Sequence, residues 1–187
     1  ALFDLVDMAL ESKDDTGLRK VLDFATDATS AGVRYVSAKG RIRLGQYEVG
    51  ARLLSGLLTD PDLGVKARYY DAVAKTALKQ YDAALQAFEA LTDLAADEPE
   101  VVAQAHLGVG RLKMELGDLD GATLAYQRVS RDSQVFGVAL YEMAWTYIKA
   151  EQYDMALATV DTLLLTARDP ELEMQGYTLR GRLNIFL

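Results

Sequence analysis

A repeat spaced by about 34 residues constrains this chain more than any other feature, because a short self-similar period means one supersecondary unit stacked on copies of itself. The segments LGQYEVGARLLSGLL (44–58), LKQYDAALQAFEAL (78–91), LGDLDGATLAYQRV (116–129) and AEQYDMALATVDTL (150–163) align without gaps through their shared core. Their small residues Gly50, Ala84, Ala122 and Ala156 are separated by 34, 38 and 34 positions. Twelve residues before each stands another small residue: Ala38, Ala72, Gly110 and Ala144. Two small residues so placed let two antiparallel helices approach closely where they cross.

The residues around these anchors follow the helical period. Tyr47, Tyr81, Leu119 and Tyr153 fall three before the second small residue, over a short turn. Four and seven after it come Leu54 and Leu57, Phe88 and Leu91, Tyr126 and Val129, Val160 and Leu163. Pro61, Pro99 and Pro170 each follow the second helix of a repeat, where proline stops one helix and can begin the next. The sequence has no alternating strand pattern.

Composition narrows the chemistry. With 187 residues, half of them hydrophobic, the chain is long enough to bury a core without staples. It has no cysteine, which excludes disulfides, thiol catalysis and cysteine-ligated metals, and its one histidine, His106, lacks an H-E-x-x-H partner. A net charge of −8 opposes general nucleic-acid binding. That charge is uneven: residues 1–30 hold seven acids and three bases, while 31–60 hold five bases (Arg34, Lys39, Arg41, Arg43, Arg52) and two acids. The reversal is a candidate binding surface. Gly108-Val109-Gly110 lacks the third glycine and the preceding strand of a dinucleotide fingerprint. Phosphate-loop and nucleophile-elbow motifs are absent, and the paired acids Asp14/Asp15 and Asp118/Asp120 fit helix caps. The expectation is a protein that is not an enzyme and takes no cofactor or metal. No apolar run is long enough for a transmembrane segment.

With its aromatic, small and proline positions in this order, the chain resembles the tetratricopeptide repeat (TPR) family. The resemblance implies an all-α, right-handed α-solenoid of antiparallel helix pairs with about 11 helices, in a single domain spanning 1–187. Its units are 31–64, 65–102, 103–136 and 137–170, the second carrying four extra residues around Ala96 to Glu100. A divergent pair at 1–30 (helices at about 1–12 and 16–29) precedes them, and 171–187 reads as the first helix of a further unit. On the first helices the family places a large apolar residue and, four later, Tyr or Leu. Met143 and Tyr147 comply, whereas Ser37 and Arg41, Asp71 and Lys75, and Val109 and Lys113 depart. Either the long basic stems cover the seam with their heads in water, or these helices are rotated. Asp71 and Lys75 can also pair.

In the family, positions on the first helices line a concave groove that binds protein or peptide partners. Carried over, these positions are Tyr35, Tyr69, Leu107 and Tyr141 at one level and Lys39, Val73, Arg111 and Trp145 at the next. Arg43 and Lys66 widen the positive patch. Aromatics beside cations have the composition of a binding hot spot for an acidic or apolar segment. The alternative is that the tyrosines pack against neighbouring repeats. Trp145, two residues from both Met143 and Tyr147, points away from the core if those two face it. The basic and asparagine set by which some members grip a terminal carboxylate is missing, the only asparagine being Asn184.

The segment YQRVSRDSQVFGVALYEMAWTYIKAEQYDMAL is also similar to TPR proteins of bacterial cell envelopes, including gliding and outer-membrane systems, which implies an envelope or periplasmic setting with cytoplasm as the alternative. Lacking an initial methionine, the chain reads as a segment of a longer protein. A second functional reading is self-association as a homo-oligomer. Helices 1–12 and 171–187 would then expose apolar faces, with Leu179, Leu183 and Phe186 as the exposed residues.

Overall fold

In the computed structural model, residues 2–12, 14–25 and 30–185 are described, and all of their regular structure is helical. The eleven helices among the described residues are α1 (Leu2–Glu11), α2 (Asp15–Phe24), α3 (Ala31–Arg43), α4 (Tyr47–Ser55), α5 (Gly64–Ala77), α6 (Tyr81–Leu94), α7 (Pro99–Glu115), α8 (Leu119–Gln127), α9 (Phe136–Lys149), α10 (Tyr153–Thr166) and α11 (Pro170–Leu183). They divide into two compact units, residues 1–87 and 88–187.

In the first unit, α1, α2 and α3 pack on one another, α3 pairs with α4, and α5 lies against both α3 and α4. One apolar cluster joins Val6, Leu18, Leu22, Val33 and Val36. A second joins Ala38, Ile42, Leu54, Leu57, Ala67 and Ala74. The caps follow from sequence: Asp14 accepts from the Thr16 amide at 2.9 Å to start α2, and Ser30 accepts from the Val33 amide at 3.4 Å to start α3. The basic stretch turns inward onto the acidic one. Arg41 donates to the Leu22 carbonyl at 3.3 Å, near the end of α2, and to Gln46 Oε1 at 2.9 Å, with Asp23 3.6 Å away. Arg43 donates to the Leu10 carbonyl, near the end of α1, and to Asp15 at 2.8 Å. A guanidinium at a helix C-terminus meets the carbonyls of the last turn and the negative end of the dipole. Asp71 and Lys75 form an ion pair at 2.7 Å, with the carboxylate largely buried.

In the second unit the same pattern recurs: α7 pairs with α8 and α9 with α10, while α8 touches α9, α10 touches α11, and α7, α9 and α11 are successive neighbours. The core joins Leu107, Ala122, Tyr126, Val129, Met143, Ala144, Tyr147, Ala156, Val160 and Leu163. All eight apolar positions read from the helical stripe of the repeat are buried, including Leu54 and Leu57 in the first unit. Leu179 and Leu183, expected to be exposed, are also buried, because α11 turns that face onto its neighbours. Phe186 lies outside the described residues. The four extra residues do not form a loop. Pro99 opens α7, which runs for 17 residues against 14 in α5 and α9, so most of the insertion lengthens that helix at its start.

The turns from first to second helix are built alike in all four repeats. The amides of Gln46, Gln80, Asp118 and Gln152 reach back five residues to the carbonyls of Arg41, Lys75, Lys113 and Tyr147, at 2.8–2.9 Å. The residue before each closes a second bond to the carbonyl three back, and the two together are a Schellman motif. That residue must take the left-handed conformation, which Gly45 and Gly117 adopt at φ of 76° and 84°. Lys79 and Glu151 occupy the same place at φ of 59°, where a Cβ costs about 1 kcal/mol. Lys79→Gly and Glu151→Gly are therefore each expected to raise stability by about 0.5–1 kcal/mol in chemical denaturation, whereas glycine at Gln80 or Gln152 is expected to gain nothing.

Candidate functional site

The expected groove residues of the first unit lie on α3 and α5. Tyr35, Lys39 and Tyr69 are half-buried and Lys66 is exposed. Tyr35, Lys39 and Tyr69 gather around a residue the repeat comparison does not single out, Tyr70. Its ring meets Tyr35 edge-on at 5.9 Å and Tyr69 at 5.3 Å, and Lys39 Nζ sits 5.7 Å from the centroids of both Tyr35 and Tyr70. Edge-to-face pairs and a cation over a ring are worth about 0.5–1.5 kcal/mol each, so the cluster is held in place before any partner arrives. Burial, reinforced by the neighbouring Tyr69 and Asp7, pushes the Tyr70 hydroxyl above its ordinary titration range. Val73 packs on the cluster beneath. Arg43 stands apart from this group, on α1 and α2.

In the second unit the expected residues lie on α7 and α9. Leu107 is 5% exposed and forms part of the core. Arg111 grips the Glu142 carboxylate with two nitrogens, Nε at 2.9 and 3.0 Å and Nη2 at 2.6 Å, a bidentate geometry that fixes both side chains. Tyr141 and Trp145 meet edge-on at 6.3 Å. Met143 and Tyr147 are buried while Trp145 keeps 37% of its surface exposed, so the tryptophan does face away from the core. With Met174, Gln175, Thr178, Leu179 and Arg182 of α11, these two aromatics line a cleft of about 240 Å³.

Among the described residues no group of three His, Asp or Glu side chains is placed to hold a metal ion. His106 is half-buried beside Arg128, and burial first, then that positive charge, lowers its imidazole below the usual range. A second cavity, about 480 Å³, opens between the connections that precede α9 and α11. Its lining offsets Arg131 and Arg168 with Asp132 and Asp169. Among the described residues no helix is long and apolar enough to cross a membrane.

Helix pairs joined by identical short turns, with first helices stacked on first helices, define the α-solenoid fold of TPR proteins. The TPR protein TTC0263 of Thermus thermophilus superposes with a TM-score of 0.74 at 16% identity, over 95% of this chain and 96% of that one. YrrB, described as a TPR protein with an unusual peptide-binding site, superposes at 0.62 with 17% identity, over 95% of this chain and 90% of its own. A Rap protein complexed with competence and sporulation factor gives 0.76 at 15% identity, over 97% of this chain but 63% of its own length. No sequence-family profile and no curated protein matches the chain.

Proposed function

We propose that the chain is a non-catalytic binding scaffold whose first helices hold a peptide or helix of a protein partner. The observation that carries this reading is the pair Tyr141 and Trp145, presented at a cleft on the first helices with Arg182 at its edge. Rigid aromatics supply contact area at low entropic cost, and a cation beside them favours an acidic segment. In the first unit, Tyr35, Tyr69, Lys39 and Lys66 offer the same composition, whereas Arg111 brings its charge already matched by Glu142. The peptide-binding site named for YrrB, a protein of the same fold, supports the reading. The likeness of the segment from Tyr126 to Leu157 to envelope proteins suggests work within a bacterial envelope machinery such as gliding motility or outer-membrane assembly.

Trp145 is the only tryptophan and reports on the cleft directly. Its emission is expected to be red-shifted and quenched by acrylamide in the isolated chain, and to become protected when a partner is added. Trp145→Ala and Tyr69→Ala should keep their helical circular dichroism while losing co-purification with that partner. Co-purification unchanged in both variants would sink the groove reading.

A further inference from the structure

In the second unit the two kinds of helix differ in how closely they approach their own kind. First helices touch first helices, α7 against α9 and α9 against α11, whereas among the described residues α8 and α10 both pack on α9 but not on each other. A gap is left over α9, opposite the face that carries Tyr141 and Trp145. Leu140, Met143 and Tyr147 of α9 form its floor, and Met155, Ala158 and Thr162 of α10 form one wall.

The same gap exists one repeat earlier with different chemistry. The residues 34 positions before Leu140, Met143, Tyr147 and Thr162 are His106, Val109, Lys113 and Arg128, and these line the earlier gap together with Glu89. That gap is about 120 Å³, and the later one, where leucine, tyrosine and threonine replace the histidine, the lysine and the arginine, is about 300 Å³. The fold accounts for a gap at this place in both repeats, but not for the loss of charge in one of them. A single charged side chain lines the later gap among the described residues: Arg131, at the end near the start of α9. Arg131, Phe136 and Thr162 also line the 480 Å³ cavity, so the two spaces meet there. The Arg131 guanidinium makes no hydrogen bond or ion pair among the described residues. Asp132 and Asp169 line the adjoining cavity and not the gap, and Asp169 is engaged in capping α11, accepting from the Glu171 amide at 3.0 Å.

We propose that this gap is a second binding site, which holds an extended peptide segment of a protein partner with apolar side chains between α8 and α10 and an Asp or Glu on Arg131. From Phe136 to Tyr147 α9 rises about 16 Å, the length of about five extended residues. A helix, about 10–12 Å across, is too wide for a gap of this volume and length. Met143 and Met155, flexible and polarizable, adapt to side chains of different shape. The Gln127 side chain donates to the Tyr147 hydroxyl at 3.4 Å, which leaves its oxygen to accept from the backbone of the segment. The site belongs to the second helices and stands independently of the cleft at Trp145, so both can be filled at once.

The test pans a phage library of random hexapeptides on the full chain, then titrates the enriched peptides, labelled with fluorescein, against Arg131→Glu, Ala158→Glu and Trp145→Ala by anisotropy. All three substitutions fall on exposed side chains, and unchanged circular dichroism checks the fold. The expected peptides are apolar with one Asp or Glu, weakened about tenfold or more by Arg131→Glu and by Ala158→Glu, and unaffected by Trp145→Ala. Replacing the acid of such a peptide by lysine should restore binding to Arg131→Glu, which a merely structural role of Arg131 would not do. A library that yields no peptide dependent on both Arg131 and Ala158 overturns the proposal, and peptides lost only in Trp145→Ala belong to the cleft instead. Decanoate, an apolar chain with a free carboxylate, is titrated alongside: if it binds where no peptide does, the gap is a lipid site and the proposal falls.

Discussion

Tyr126→Ala is expected to lower the unfolding free energy by about 3–5 kcal/mol. The ring is 2% exposed and forms part of the core that joins α7, α8 and α9. Its hydroxyl, by contrast, is buried beside Glu142 without reaching it in good hydrogen-bond geometry. Tyr126→Phe should therefore change stability by no more than about 1 kcal/mol. Burial, with the Glu142 charge reinforcing it, holds the phenol well above its ordinary value of 10.0. Above that pH the unfolded chain releases the proton while the folded chain keeps it, so stability falls as pH rises. Urea titrations from neutral to alkaline pH should show that decline in the natural protein and a shallower one in Tyr126→Phe.

Gly110→Ala is the second large effect, and its sign runs against helix propensity. In an open helix the change would gain up to about 1 kcal/mol. Here a Cβ on residue 110 would lie 2.7 and 2.8 Å from Cδ1 and Cζ of the Tyr126 ring, closer than real Cβ atoms come. The ring lies in a packed core and cannot yield cheaply, so a net loss of about 1–3 kcal/mol is expected. The two sites should couple: in a Tyr126→Ala background the overlap is gone, and Gly110→Ala should become neutral or stabilising. A double-mutant cycle in denaturant measures this directly, and additive effects would show that the ring does not oppose residue 110.

Those two residues mark what is legible in the sequence. Spacing alone identifies Gly110 and Tyr126 as a crossing point and a stripe position, because helix periodicity and close approach depend on residue size and interval. Where the long side chains go is not legible. Arg41 and Arg43 read as a departure from the repeat and as part of a positive patch, yet they reach back onto α1 and α2. No periodic signal encodes a contact across 19 or 33 residues that a flexible stem makes. Tyr70 escapes notice because the carried-over groove positions on α5, Tyr69 and Val73, pass over it. The left-handed turns at Lys79 and Glu151 lack the glycine that announces them at Gly45 and Gly117. Leu179 and Leu183 read as exposed and are buried, since a helix with apolar residues on two faces does not reveal which face its neighbours take. Of the expected groove, Trp145 and Tyr141 stand at a cleft, Leu107 is core, and Arg43 bonds to α1 and α2.

The four Schellman turns also govern where this chain can change length. Each spans three residues with the same pair of backbone bonds, and the connections on the opposite edge run to eight, four, eight and three residues. The one departure from the 34-residue period falls on that second edge, at the start of α7. The molecule therefore has a fixed-length edge and an elastic one: a foreign loop, a protease site or a reporter grafted beside Asp97 or Asp132 leaves the pairing of each repeat in register, while a single residue added beside Gly117 would break the turn that sets it.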